Sequence, residues 1–583
     1  MAKLSIDQAL LKAKSHAKKG EIAEAKKIYS TILNSYPKNI RAKEGLAALS
    51  KNRQEKPAGT SFQNAINSLL KKFNVGEFEA TFNMATRLSK QFPNAFQIWH
   101  ILGITSAQLT RFSIAHDAFD KAILLNPKFA DAYNNKAVVL KEIGEFEEAL
   151  ILCEKAIELN SSFADAYNVK GAILLIQNKF VESVIAFNKA IEINPKFYKA
   201  YSNLANALRA QGELEKSIYA YKKALIINPN YAEAHCNMGN TLKDQGKRDE
   251  AIEAFNKALA IKPDYADAYC NMGRLHLLNE EFIKAFELME WRWKQKKQGT
   301  GTYFKSRKPS WAGEDDKKVL VWKEQGIGDE IMFSSMLSEL HERSKKLIVE
   351  CDKRLIPLYK RSFPEGIEFV DDREKVDERN YDSHIAIGSL PRHFRSNIAD
   401  FSKISNGWIL ADSVKVNQLR KNLAPKGKVR LIGISWSTNS SKEDSSQRSI
   451  TTDLIAKYLG EIPVKYINLQ YGDTAQDILR MHTLLGMDVH HVDKLDLFND
   501  LDGLSTLISA CDIVISIDNV TANLAGALGI DTRLLLPLTA DERWGLKRND
   551  SYWYESLKLY RQEKFGDWHK PLETLALDLK KLT

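Results

Sequence analysis

The sequence predicts an α-solenoid followed by an α/β region of two doubly wound lobes. Three observations carry that expectation. Pro93, Pro127, Pro195, Pro229 and Pro263 fall on one ladder with a step of 34 residues, and Ser161 stands where one further proline is due. Within each step a small residue on a first helix alternates with a bulky one on a second, the pattern of helices that cross closely. Beyond residue 317 the helical period gives way to short apolar runs separated by amphipathic stretches, as buried parallel strands with crossover helices require.

Taken in order, residues 1–50 hold one helical-hairpin repeat, with Gly20 at its turn and Pro37 after its second helix. Pro37 and Pro93 are 56 residues apart, which is out of phase with the ladder, so the polar stretch KNRQEKPAGTS (51–61) reads as a linker that absorbs the slip. The array proper spans 62–297. Its repeated phrases are FADAY at 129 and 163, FYKAY at 197, YAEAH at 231 and YADAY at 265. A step of 34 with these phrases resembles tetratricopeptide repeats, which implies a superhelix that receives a polypeptide. Gly103, Ala137, Gly171, Ala205, Gly239 and Gly273 are the small residues of the first helices. Phe119, Phe187, Tyr221 and Phe255, with Cys153 as the exception, are their partners on the second.

One position of the first helix differs. Asn135, Asn203, Asn237 and Asn271 recur there, interrupted by Val169 and preceded by Ile101. A carboxamide donates and accepts, so a row of them can grip a peptide backbone without reading its sequence. The alternative is that they bridge neighbouring helices. The row resembles the asparagine ladder of O-GlcNAc transferases, which implies acceptor-peptide binding.

The last repeat loses its pattern in FELMEWRWKQKK (286–297), where Trp291 and Trp293 are expected to cap the array or dock it on the next domain. Residues 298–317 read as a linker. VLVW (319–322), LIVEC (347–351), HIAIG (384–388), RLIGISW (430–436), VKYINLQ (464–470), DIVISID (512–518) and RLLLP (533–537) read as strands. They divide into two Rossmann-like lobes, 318–424 and 425–583, with the final helix crossing back onto the first lobe.

Composition narrows the function classes. The chain has 583 residues and a formal net charge of +10, but its cations are interleaved with glutamates over helix faces, without a recognition helix or aromatic-plus-basic motif. Nucleic acid is therefore not an expected partner. The five cysteines form no ligand spacing, and neither a secretory leader nor a membrane-spanning run is visible, so a reduced, cytoplasmic protein without membrane insertion is expected.

Three stretches carry candidate chemistry, each just after a strand. In Glu324-Gln325-Gly326-Ile327-Gly328-Asp329, Gly326 and Gly328 allow close approach of backbone to ligand, and Asp329 is placed as a general base or as a helix N-cap. In GISWSTNSSKEDSSQRS (433–449), Ser435, Ser437, Arg448 and Ser449 are placed to hold phosphate oxygens. In SIDNVTANLAGALG (516–529), a helix begins directly after Asp518, so that Asn519 and Thr521 face a diphosphate at its N-terminus. Asp541, Arg543 and Trp544 come next and are placed to close over a ligand. No DxD or His/carboxylate cluster calls for a metal, and no cofactor is expected.

Together these stretches resemble glycosyltransferases of the ADP-heptose:lipopolysaccharide heptosyltransferase type, with the two-lobed GT-B fold. The resemblance implies that Asp329 is the base and that the helix after Asp518 binds the donor phosphate, with Asn523 where that family has His. Repeats followed by such a domain resemble the bacterial tetratricopeptide-containing glycosyltransferases, one branch of which modifies flagellins. The implied function is transfer of a sugar to an acceptor protein held by the array. A scaffold with a degenerate sugar-nucleotide domain, and a transferase of envelope polysaccharide, are the alternatives.

Overall fold

A computed structural model describes residues 5–19, 21–51, 58–295, 304–403, 407–425, 429–438, 448–538, 540–546, 548–564 and 566–582. Gly20 and most of the linker anticipated at 51–61 lie outside them. The helix Ile40–Lys51 runs into that stretch and Ala58–Asn74 begins within it, so only 52–57 separates the two. The chain forms two compact units, Met1–Ile173 and Leu174–Thr583.

The described residues of the first unit are arranged as helical hairpins. A Cβ on Gly103 would stand 2.6 Å from the Phe119 ring, so the helices cross there only because that residue has no side chain. Gly45 plays the same part beneath Tyr29 in the out-of-phase hairpin. Lys136 is buried between Asp120 and Glu148, at 2.8 and 3.1 Å, and ties successive helices together.

The second unit opens with the rest of the array, including α1 (Phe180–Ile193), α2 (Tyr198–Ala210), α3 (Ala232–Asp244) and α4 (Ala266–Leu278). Gly239 repeats the close crossing, with Phe255 at 2.7 Å from its would-be Cβ. The array ends at Phe282–Met289 and a 3-10 turn, Glu290–Lys294. The two tryptophans of that turn divide the expected tasks. Trp291 stacks on Tyr269 at 3.9 Å and covers the last repeat, whereas Trp293 packs on Trp322 of the adjoining sheet at 5.1 Å. Between them Arg292 clamps Glu324 bidentately, both bonds at 2.8 Å. That carboxylate is 3% exposed, which makes the joint a desolvated charge pair.

The stretch anticipated as a linker at 298–317 is structured from Phe304 onward. Phe304 and Trp311 are buried, and the Trp311 backbone N–H donates to His384 O at 2.8 Å. Two large aromatic side chains gain more from joining the lobe than from remaining in a tether.

Among the described residues ten parallel strands build the rest: β1 (Lys317–Trp322), β2 (Ser344–Glu350), β3 (Ile367–Val370), β4 (Ser383–Ala386), β5 (Leu431–Ile434), β6 (Lys465–Asn468), β7 (Val489–His490), β8 (Ile513–Ile517), β9 (Thr532–Leu536) and β10 (Leu557–Arg561). They form sheets of order β3-β2-β1-β4 and β10-β9-β8-β5-β6-β7. β3, β7 and β10 have no counterpart among the apolar runs of the sequence, being short or interrupted by charged residues. Helices α5 (Ile327–Phe333), α6 (Ser413–Leu423), α7 (Leu501–Ala510), α8 (Val520–Ala527) and α9 (His569–Lys580) pack around them.

Two corrections concern the lobes. Helix α9 does not cross back to the first lobe: Leu572, Leu575, Ala576 and Leu579 are buried in the core under the second sheet, and the Tyr560 hydroxyl of β10 donates to Asp578. Helix α6, expected in the first lobe, packs on α7, with Arg420 donating to Ala510 O and to Asp512 at 2.6 Å each. The late apolar stripe of α9 suggests a crossover, but its nearest partner surface is the sheet that precedes it in the chain.

Candidate active site

In each sheet the strand order reverses at one point: beside β1 in the first, and between β5 and β8 in the second. Ligands in open parallel sheets bind at the carboxyl ends of strands at such reversals. The three predicted stretches come directly after β1, β5 and β8. The fold brings the first and third together, for α5 and α8 pack on each other and a Cβ on Gly328 would lie 3.1 Å from Asn523 Nδ2.

Asp329 is the third residue of α5. Gly326 precedes the helix, so Asp329 does not cap it. Its own N–H and that of Glu330 donate to Gly326 O at 2.9 and 3.0 Å, closing the turn. The side chain projects to Arg543, whose guanidinium meets Oδ1 at 2.6 Å. Arg543 also donates from Nε to Asp541 at 2.8 Å. Arg448 stands 3.5 Å from Asp518. Asp329, Arg448, Asp518, Asp541 and Arg543 thus form one charged cluster built from all three strand ends and the loop after β9.

Burial sets the electrostatics. It raises the Asp518 carboxyl above the ordinary range, and the opposing charges of Arg543 and Arg448 only partly offset it. For Asp541 burial acts in the same direction but is outweighed by the charge and hydrogen bonds of Arg543, so its carboxyl is held well below the usual value. Arg543, surrounded by carboxylates, is firmly cationic. Next to Asp329, Glu330 is 2% exposed and accepts the Asp352 N–H at 2.8 Å; burial pushes its carboxyl up to about 7.

Several residues predicted to hold phosphate are used inside the protein. The Ser435 hydroxyl donates to Gln470 at 3.0 Å and accepts from Asn519 Nδ2 at 2.8 Å. Asn519 caps α8 through the Ala522 N–H and also accepts from Ser516. Asn523 donates to Asn519 O at 3.0 Å and accepts the Tyr554 hydroxyl at 2.8 Å. The hydrogen bonds of these three side chains are made within the protein and shape the turn, where the sequence suggests phosphate contacts. Thr521 differs: its hydroxyl is buried with no hydrogen-bond partner among the described residues. Gly326 is exposed and Ser437 half-buried at the rim, while residues 439–447 lie outside the described residues.

The asparagine row divides similarly. Asn135 is paired with His100 Nε2 at 2.9 Å, and burial lowers that imidazole to about 4, so the neutral ring accepts the amide. In the second unit Asn271 Nδ2 lies 3.6 Å from Cys236 Sγ. Both reach back one repeat, which is the bridging alternative. Asn203 and Asn237 are half-buried at the equivalent positions.

Sequence reasoning places Arg543 near a ligand but misses the contacts that hold it. Glu542, its neighbour, meets Lys243 of α3 at 2.9 Å, and the turn Glu542–Trp544 rests on α4. Array and site therefore share a three-residue turn. Its only signal in the sequence is an unusual charge density, Asp541-Glu542-Arg543, after an apolar strand.

Among the described residues no group of three metal-ligating side chains is found, no helix is long and apolar enough to cross a membrane, and all five cysteines are unpaired and buried.

Tetratricopeptide-repeat family models match residues 9–39, 130–163, 164–197, 186–219, 205–246 and 239–279. Protein FlbA of Caulobacter vibrioides is 28% identical over 289 residues, covering 46% of this chain and 48% of FlbA. The chain thus spans about half the length of that curated relative. Among solved structures, YrrB, described as a TPR protein with an unusual peptide-binding site, is 30% identical over 30% of this chain and 91% of its own, with a TM-score of 0.25. MamA is 26% identical over 28% of this chain and 96% of its own, also with a TM-score of 0.25. The chain therefore carries a tetratricopeptide-repeat solenoid, followed by a region of parallel α/β sheets.

Proposed function

We propose that the protein is a glycosyltransferase that holds an acceptor protein, flagellin being one candidate, on its repeats and transfers a sugar to it from a nucleotide sugar. The observation that carries this reading is the meeting of the turns after β1 and β8, which sets Asp329 beside Arg543, Asp518 and the N-terminus of α8. Repeats of this class bind polypeptides. The half-length likeness to FlbA is compatible with the reading, and the resemblance of the GIGDE and SIDNVTANLAGALG stretches to heptosyltransferases gives it its chemistry.

In this mechanism a Ser or Thr hydroxyl of the acceptor attacks the anomeric carbon. The new C–O bond forms as the hydroxyl proton passes to Asp329, and the bond from the anomeric carbon to the phosphate oxygen breaks with its electron pair leaving on the nucleotide. Arg543 and Arg448, with the α8 amides, stabilise the developing negative charge. Arg543 must therefore exchange part of its contact with Asp329 for the phosphate, which frees the base as the donor binds. Intact-mass analysis of proteins captured by the full chain, with and without nucleotide sugars, tests the reading: a sugar-sized mass increment on the captured protein is expected, and its absence with every donor contradicts it.

The scaffold reading has one observation in its favour, the closed Asp329–Arg543 bridge, which leaves the base already paired. Nucleotide binding separates the two.

A further inference from the structure

A surface groove lies at the carboxyl edge of the larger sheet, apart from the charged cluster. It is an open groove of about 790 Å³, lined on one side by Pro537 and Gln562, the residues directly after β9 and β10, together with Gly566. The other side is the repeat array, through the turns at 178–182 and 210–213 that lead into α1 and out of α2. That volume lies within the ordinary range of ligand sites.

Its chemistry is particular. Gln562 Oε1 accepts the Leu538 and Gly566 backbone N–H groups, at 3.2 and 3.1 Å, and so ties the two strand ends together. Its Nε2 is buried without a partner among the described residues, in a side chain only 4% exposed. A buried donor without an acceptor is unfavourable, and a ligand carbonyl brought within reach of it would supply the missing hydrogen bond. The array side offers Phe180 and Ala210 beside Asn178 and Gln211. Lys179 is the lining cation against Glu182 and Glu213, the latter bridged by Lys216 at 3.1 Å. The wall therefore has no surplus of positive charge with which to hold a phosphate.

We propose that this cavity is a subsite for an extended, uncharged segment of the acceptor polypeptide, an inference that rests on the reading that the array presents an acceptor. Carboxamides beside apolar surface match a peptide backbone with small side chains. The position fits as well. Pro537, at the cavity, and Arg543, on Asp329, are six positions apart in the chain, so a segment seated here lies within about 20 Å of the charged cluster. The repeats thus contribute directly to the wall of the acceptor path and do not merely tether the partner.

The test uses the full chain to select binders from a displayed library of twelve-residue peptides. The Kd of the enriched peptides is then measured on the parent, on Ala210→Trp and on Gln211→Trp, with cytidine and uridine diphosphates as nucleotide probes. Both substitutions place a large ring in the cavity from the array side. The expected result is a loss of peptide affinity of tenfold or more in each folded variant, with nucleotide affinity within twofold of the parent. Benzoylphenylalanine at the exposed position of Lys179 is expected to crosslink the enriched peptides in an otherwise unaltered chain, which decides the matter should either tryptophan variant unfold. Failure to enrich any peptide, peptides that bind the variants as they bind the parent without crosslinking, or loss of nucleotide affinity alone would overturn the assignment. A parent that binds peptides at the cavity but no nucleotide supports it and contradicts the transferase reading.

Discussion

Arg543 joins Asp329, at 2.6 Å, to Asp541, at 2.8 Å, and so links the first turn of α5 to the loop after β9. One guanidinium thereby organises carboxylates from both lobes, and Asp518 lies within its field. Removing one partner of such a network leaves charges unpaired in partly buried surroundings. Arg543→Met is expected to lower unfolding free energy by about 2–3 kcal/mol, an amount reduced for the partial exposure of the group. Adding Asp541→Asn to that variant should cost less than Asp541→Asn does in the parent. Denaturant unfolding of the four proteins measures the coupling, and strict additivity would show that the contact carries no energy.

The base proposed for transfer is separable from the structure. Asp329→Asn keeps the size of the side chain and a hydrogen-bond acceptor for Arg543. It is expected to reduce transfer by at least about a hundredfold while leaving acceptor capture unchanged. Mass analysis of the acceptor after incubation with each protein is the measurement, and undiminished modification would remove Asp329 from the mechanism.

Glu330 supplies a pH signature. Its carboxyl is raised by burial from 4.5 to about 7, so the folded state holds a proton that the unfolded state has released. Stability from this group is fully present below about pH 4.5 and is lost as pH rises through 7. Glu330→Gln is neutral at every pH and keeps an acceptor for the Asp352 N–H. The variant should therefore be more stable than the parent at pH 8, by roughly 1–3 kcal/mol, with the gap closing towards pH 5. Thermal unfolding at the two pH values reads this, and an equal gap at both would contradict it.

Two glycines of the site should respond differently to alanine. A Cβ at Gly526 would stand 2.5 Å from the Tyr554 ring, beneath the hydroxyl that binds Asn523, so Gly526→Ala is expected to cost about 1–3 kcal/mol. At Gly326 the nearest atom is Asp329 Oδ2, at 3.9 Å, and the residue is exposed. Gly326→Ala should leave the melting temperature nearly unchanged yet weaken nucleotide binding, if the backbone there approaches the donor. Calorimetry with the ligand found to bind distinguishes the two effects.

Much of this architecture was legible because it depends on repetition and on period. The 34-residue proline ladder and the Gly103–Phe119 crossing are local facts, recoverable from spacing alone. The apolar runs around Val319, Ile432 and Ile513 announced buried parallel strands. The features that escaped are tertiary. Ser435, Asn519 and Asn523 have the residue types of a phosphate site, yet each is satisfied by a neighbour distant in sequence, such as Gln470 or Tyr554. Whether a carboxamide faces ligand or core depends on where the other lobe's side chains end, which no motif records. The same holds for Lys243 and Glu542, which meet across 299 residues of chain, and for α9, whose apolar stripe does not state which sheet it covers.

The most direct test of the account is a thermal-shift screen of the full chain against nucleoside mono- and diphosphates and their sugar conjugates. At least one is expected to raise the melting temperature by about 3 °C or more at saturating concentration. Arg448→Ala should remove that shift while lowering the melting temperature of the unliganded protein less than Arg543→Met does, because Arg448 pairs with Asp518 at the longer distance of 3.5 Å. A chain that no nucleotide or nucleotide sugar stabilises would contradict the central claim that the meeting of the β1 and β8 turns is a donor site.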